Sequence, residues 1–175
     1  MDLAQYIRNV PDFPKPGIQF KDITTLLLHP EAFREVIRRL EERYRSNPPD
    51  AVAAIDARGF VFSGALCHAM GLPLVLVRKK GKLPADTIRA TYDLEYGSET
   101  IEMHRDALHP GQRVLIMDDL LATGGTVAAA ADLVRQLGAM VQEAAFVVEL
   151  PQLKGRERLA AMNIPVFSMV TFMVA

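Results

Sequence analysis

VLIMDDLLATGGT, residues 114–126, decides the fold. Four apolar residues, Val114 to Met117, run straight into two adjacent carboxylates, Asp118 and Asp119. An unbroken apolar run of this kind reads as a strand covered on both faces, which is the pattern of a parallel sheet. A short loop follows, ending in Thr123, Gly124, Gly125 and Thr126, and then an Ala-rich helical run. The two glycines let the backbone turn tightly and approach a ligand closely, and Thr126 is the candidate helix cap. Free N–H groups at the start of that helix, at the positive end of its dipole, form an anion site suited to phosphate. Two carboxylates there would repel a phosphate, so they must hold something else. Ribose hydroxyls, or a Mg²⁺ that bridges to phosphate, fit that role. The expected ligand is a phosphorylated sugar.

Working outward, a βα rhythm surrounds this stretch. Residues 51–55 (AVAAI) read as a short apolar strand ending at Asp56, Ala57, Arg58 and Gly59. A helix is expected from about Phe60 to Met70, with Gly71 just past its end. Residues 74–77 (LVLV) are the next strand, which stops at the basic run Arg78 to Lys82. After the strand at 114–117, a helix over about 126–137 closes at Gly138. Strands are expected at 144–150 and 166–174, with a helix near 153–162 between them.

The flanks are less regular. Leu3, Tyr6, Ile7 and Val10 have helical spacing, so residues 2–9 read as a short helix. Three prolines and a glycine in residues 11–17 make an extended connector. Pro30 opens a helix over about 31–46, with Phe33, Val36, Ile37, Leu40 and Tyr44 as its buried face. Residues 83–100 are polar and irregular, with a possible strand pair around Arg89 to Met103.

Apolar strands alternating with helices of about a dozen residues predict an α/β fold, a mostly parallel central sheet flanked by helices. At 175 residues the chain reads as one domain, residues 1–175. In such sheets ligands bind at the carboxyl ends of the strands. Three strands here end in chemically loaded loops, Asp56 to Gly59, Arg78 to Lys82 and Asp118 to Thr126. Their convergence places phosphate donors, cations and paired acids at one sheet edge.

Several function classes are excluded. Neither G-x-x-x-x-G-K-[ST] nor G-x-G-x-x-G is present, so the loop is neither a P-loop nor a dinucleotide fingerprint. His29, His68, His104 and His109 lack metal-ligand spacing, and the eight methionines read as core filler. The net charge of -1 gives no bulk attraction to nucleic acid or membrane. The single Cys67 rules out an intrachain disulfide and fits a reducing compartment. The N-terminus lacks a signal-peptide pattern, and the apolar C-terminal stretch is too short to span a bilayer, so a cytoplasmic protein is expected.

Residues 114–126 resemble the phosphoribosyl-pyrophosphate-binding motif of the type I phosphoribosyltransferases. The resemblance continues through residues 11–14, 16–17, 20–23, 56–60, 78–84, 94–97, 106–108 and 153–156. Taken in order, these segments are similar to the adenine-using branch of that family. The resemblance implies transfer of a phosphoribosyl group from phosphoribosyl pyrophosphate to adenine, giving AMP and pyrophosphate, with Mg²⁺ held mainly through the substrate's pyrophosphate and ribose. It also implies a homodimer. By the same resemblance, Ala122, Thr123, Gly124, Gly125 and Thr126 hold the 5′-phosphate, and Asp118 and Asp119 the ribose hydroxyls. Ala57 and Arg58 contact pyrophosphate, in a loop that often holds a non-proline cis peptide. Lys82 assists from a flexible loop region, residues 78–105, and Arg78 reaches a neighbouring subunit's pyrophosphate. Adenine packs near Phe20 and Leu120 in an N-terminal base-binding segment, residues 1–30, its polar edge read by backbone groups of Gln19 and Lys21.

The chemistry is consistent with these roles. Breaking the bond from C1′ to pyrophosphate places positive charge on the ribose and negative charge on the leaving group. Arg58 and Mg²⁺ offset the second, and a closed site excludes water. The attacking base must lose a proton, and Glu95 is the candidate to manage it at N7. Two other readings stay open at this level: transfer to another purine, and a non-catalytic regulator that binds phosphoribosyl pyrophosphate.

Overall fold

The computed structural model describes residues 1–173. A 3₁₀ turn, Leu3–Tyr6, leads into β1 (Arg8–Pro11), β2 (Gln19–Asp22), α1 (Thr24–Leu27) and α2 (Pro30–Tyr44). The βα region then runs β3 (Ala51–Ile55), α3 (Gly59–Met70), β4 (Leu74–Lys79), β5 (Thr87–Asp93), β6 (Ser98–His104) and β7 (Arg113–Leu121). It closes with α4 (Gly125–Gln136), β8 (Met140–Glu149), α5 (Gly155–Ala161) and β9 (Val166–Thr171).

Seven strands make the main sheet in the order β5-β6-β4-β3-β7-β8-β9. The five strands from β4 to β9 run parallel. The hairpin β5–β6 joins the edge antiparallel, through Arg78↔Glu102 and Lys79↔Ile101. The period-two alternation of β7 explains its apolar run. Val114 and Ile116 enter the core beside α4 and α5, with Val127, Leu133, Phe146 and Leu159. Leu115 and Met117 enter the opposite core, with Leu40, Phe62, Leu66 and Val147. The expected α/β architecture, a mostly parallel sheet with helices on both faces, is the one observed.

Local differences have physical reasons. Residues 2–9 were expected as one short helix, but helical turn is confined to Leu3–Tyr6 and Arg8 begins a strand. Pairing with β2 overrides the helical spacing, and Arg8 Nε donates to Asp22 Oδ2 at 3.0 Å across that ladder. The strand expected over 114–117 continues to Leu121, because Asp118, Leu120 and Leu121 keep pairing with Phe146, Val148 and Glu149. A ladder uses backbone groups only, so polar side chains at its end do not stop it. The strand pair expected around Arg89 to Met103 is present, in register from Thr87↔His104 to Asp93↔Ser98, and takes up more of the stretch 83–100 than its irregular composition suggests. Ile88, Ile101 and Met103 bury one face of the pair. The last strand ends at Thr171; residue 174, included in the expected span, lies outside the described residues.

Candidate active site

The parallel strands β3, β4 and β7 deliver their carboxyl ends to one edge, where the three loaded loops meet. Asp119 lies near the end of β7 with its side chain 3% exposed, and Arg58 Nε donates to its Oδ2 at 2.5 Å. Arg58 also lies over the Phe20 ring, 5.4 Å from its centroid. One guanidinium therefore joins the acid pair to the aromatic ring of β2. Asp118 accepts a hydrogen bond at Oδ1 from the Asp119 backbone N–H, 2.8 Å away. Burial, with the neighbouring Asp119 charge next, pushes the Asp118 carboxyl well above the usual carboxylate range. Two adjacent acids with a single half-exposed arginine between them are short of positive charge and donors, which a sugar's hydroxyls or a cation would supply.

Gly59 makes this junction possible. A Cβ there would lie 2.8 Å from the Met117 carbonyl and 3.1 Å from Asp118 Oδ1. The start of α3 thus rests directly on the acid-bearing end of β7.

Ala122 to Thr126, with Asp118, Leu120, Leu121 and Val127, line a hollow of about 90 Å³, sized for a small anion group. Gly124 sits at φ 79° and occupies the cap position of α4 without any side-chain cap. The expectation that Thr126 caps this helix is corrected: Thr126 falls inside the first turn, and its Oγ1 donates to Tyr92 Oη at 2.9 Å. The N–H groups of that first turn have no intrahelical acceptor, and residues 125–127 line the hollow. Larger hollows of about 460 and 490 Å³ lie at the base of the β5–β6 hairpin, around Asp86 and Arg105; the second also touches Lys80 and Gly81 of the basic strand-end loop, and neither is lined by the loops at 56–59 and 118–126.

On the cationic side, the Asp56–Ala57 peptide bond is cis, as the resemblance implied. Arg78 Nε donates to Asp56 Oδ2 at 3.1 Å, so within this chain Arg78 is tied to the end of β3. Lys82 is exposed in the turn that follows β4, its backbone N–H bonded to the Lys79 carbonyl. Lys79 Nζ pairs with Glu99 at 3.0 Å.

The base-side residues gather on the β1–β2 ribbon. Phe20 meets Phe13 edge to face, centroids 5.2 Å apart. The side chains of Gln19 and Lys21 are both engaged by Asn9: its Nδ2 donates to Gln19 Oε1 at 2.7 Å, and Lys21 Nζ donates to its Oδ1 at 2.9 Å. Sequence reading gave Asn9 no role. Its signal lies in the strand register, Asn9↔Lys21, which needs β1 recognised as a strand. Leu120, on β7, packs with the core beside α2 and α3. Glu95 stands at the tip of the hairpin, its side chain 73% exposed, 3.3 Å from Lys15 Nζ. Lys15 also lies over the Tyr96 ring, 5.7 Å from its centroid. The hairpin tip is thus drawn to the N-terminal connector. Tyr92, Glu99, Lys15 and Gly155 are further residues at this edge to which the sequence alone assigned no function.

The fold and this edge together define an α/β protein whose parallel strand ends bring together an acid pair, an anion-sized backbone loop and an arginine against an aromatic ring. The phosphoribosyl transferase domain model matches residues 22–172. The chain belongs to the phosphoribosyltransferase family and groups within it with the adenine phosphoribosyltransferases. It is 58% identical over 171 residues to the adenine phosphoribosyltransferase of Chloroflexus aurantiacus, covering 98% of each chain. Adenine phosphoribosyltransferase from Thermoanaerobacter pseudethanolicus superposes with a TM-score of 0.93 at 46% identity, covering 97% of this chain and 98% of that one. The Saccharomyces cerevisiae enzyme, solved with adenine and an imino-altritol bisphosphate, gives 0.90 at 41% identity, with 96% of each chain covered.

Proposed function

We propose that this protein transfers the 5-phosphoribosyl group of phosphoribosyl pyrophosphate to adenine, giving AMP and pyrophosphate. The observation that carries this reading is the position of Arg58, bonded to Asp119 and stacked over Phe20. A glycosyl C–N bond forms where a sugar and a base meet, and Arg58 touches the candidate subsite of each.

In this reading the 5′-phosphate takes the backbone N–H groups of residues 122–126, and the ribose hydroxyls donate to Asp118 and Asp119. The C1′–oxygen bond breaks with its electron pair leaving on pyrophosphate, while the adenine ring nitrogen bonds to C1′. Arg58, Ala57, Arg78 and Lys82 serve the pyrophosphate end. Adenine lies on Phe20 near Leu120, with its edge met by backbone groups of Gln19 and Lys21. The Asn9 bonds to both flanking side chains support that division of labour, because they hold those side chains off the base. Glu95 accepts the adenine proton at N7 when the hairpin tip covers the base.

The donor set fits Mg²⁺ shared with substrate. Asp118 and Asp119 present hard oxygens, and Arg58 already holds one of them, so these residues would hold the ion only in part and the substrate would supply the rest. When bound, the ion would neutralise charge developing on the departing pyrophosphate. Residues 1–30 act as the base-binding segment and residues 78–105 as a mobile hood of one catalytic domain.

A homodimer belongs to the same proposal. Leu74 and Leu76 of β4 and Val61 of α3 are exposed large apolar side chains, next to the Arg78 expected to serve a neighbouring subunit. Analytical ultracentrifugation tests it: a dimer is the expected species, and a lone monomer at assay concentration overturns it. A cytoplasmic setting is supported by the buried free thiol of Cys67.

The deciding experiment is incubation with phosphoribosyl pyrophosphate, Mg²⁺ and each purine in turn. AMP from adenine is expected. Product from guanine or xanthine alone excludes adenine transfer, and no nucleotide from any base excludes catalysis. Within that assay, Glu95→Gln is expected to lower kcat about 10²-fold while leaving KM for phosphoribosyl pyrophosphate within about twofold, the size usual for a general base. An unchanged kcat removes the role given to Glu95.

A further inference from the structure

Tyr92 stands where the hood meets the phosphate loop. It lies on β5, and its register partner across the hairpin is Glu99. Its hydroxyl accepts from Thr126 Oγ1 at 2.9 Å and donates to Glu99 Oε2 at 2.9 Å. The other Glu99 oxygen holds Lys79 Nζ at 3.0 Å. The Tyr92 ring lies along the start of α4, so closely that a Cβ on Gly125 would come within 3.4 Å of its Cδ2. One hydroxyl therefore joins the first turn of α4 to a carboxylate of the hood, and through it to a cation of β4.

The donor arithmetic of this chain fixes the Thr126 rotor. A phenol carries one proton. Burial, reinforced by the Glu99 bond, pushes the Tyr92 hydroxyl up to about 12, so it keeps that proton through the neutral range. Glu99 is held below the usual carboxylate range by Lys79 first, then by Tyr92, so it remains an acceptor. The Tyr92 proton goes to Glu99, and the phenol oxygen is left to accept from Thr126. The Thr126 side chain is thereby held in one orientation beside the 90 Å³ hollow that it lines.

We propose that Tyr92 is a positioning residue for the 5′-phosphate end of the substrate: it holds Thr126 and seats the hood against the phosphate loop. This rests on the reading that residues 122–126 take the 5′-phosphate. Affinity for the phosphate end then depends on a residue that belongs to the hood, so hood seating and phosphate binding are coupled. Plain structural glue between β5 and α4 would lower stability and leave ribose 5-phosphate affinity unchanged.

A binding cycle separates the two. Ribose 5-phosphate is titrated calorimetrically into the wild-type protein, Tyr92→Phe, Thr126→Val and the double variant. Tyr92→Phe keeps the ring and removes only the hydroxyl. It is expected to weaken ribose 5-phosphate about three- to tenfold, the worth of the one hydrogen bond that holds the first turn of α4, with its backbone N–H groups, in place. In the Thr126→Val background the same change is expected to cost less than about twofold, because its route is already gone. Equal costs in both backgrounds, or no cost in the wild type, overturn the Tyr92 role and leave the phosphate-loop reading standing. A wild-type protein that fails to bind ribose 5-phosphate overturns both.

Discussion

Asp119→Asn is expected to lower kcat/KM for phosphoribosyl pyrophosphate by about 10²-fold or more, measured at saturating adenine. Asp119 is a nearly fully buried carboxylate with two tasks in the proposed site. It takes Arg58 Nε at 2.5 Å, and it accepts from a ribose hydroxyl. Hydrogen bonds to a charged group contribute about 1.5–3 kcal/mol each, roughly twice a neutral one. Asparagine keeps the shape but gives up the charge, and turns one of two acceptor oxygens into a donor. That donor would face either the Arg58 guanidinium or the sugar hydroxyl, so one contact is lost outright. Arg58 loses its counter-charge and, being half exposed, is free to leave the Phe20 ring. Loss at the sugar should therefore be accompanied by a rise in KM for adenine. The fold should survive, because a pair with one half-exposed partner contributes only a small part of stability. A change in kcat/KM of less than about threefold would falsify the assignment of Asp119 to the sugar.

Most of the parallel sheet was legible in the sequence because buried strands announce themselves. Val114 to Met117 and residues 51–55 are apolar without a break, and their register puts Val52 beside both Leu74 and Leu115. The strand-end rule then pointed to the candidate site, since Arg58, Arg78 and Asp119 all follow such runs. What escaped was set by pairing rather than by composition. β1 was hidden by helical spacing at Leu3 to Val10, and with it the bridging role of Asn9. Thr126 looked like a cap because Thr at a helix start usually is one; Gly124, in a left-handed conformation, begins the turn two residues earlier. Tyr92 was invisible because its partners, Glu99 and Thr126, are 7 and 34 residues away. A side chain that bridges a strand and a distant helix start leaves no local pattern.

Gly155→Ala is expected to lower kcat/KM for phosphoribosyl pyrophosphate about 10²-fold, with little change in KM for adenine. Gly155 lies outside the hollow, and its effect runs through backbone contact. A Cβ at this position would overlap the Ala122 carbonyl oxygen and lie 2.7 Å from Leu121 Cδ1. Neither obstacle can yield cheaply. Ala122 belongs to the proposed phosphate loop, and Leu121 is 1% exposed in the core beside α4. The fit is reciprocal, because a Cβ on Gly124 would lie 3.1 Å from the Gly155 carbonyl. The loop and the start of α5 are stacked backbone on backbone, so an added methyl group must push the loop away. A displacement of about 1 Å in a positioning element can cost about 10² in rate. Overpacking should also lower stability by about 1–3 kcal/mol, seen as a lower Tm. Loss of stability alone would leave kcat/KM intact at temperatures where the variant is folded. Ribose 5-phosphate affinity distinguishes the cases. It should fall in parallel with kcat/KM when the loop is displaced; unchanged affinity in the folded variant would show that the loop does not depend on the backing of Gly155.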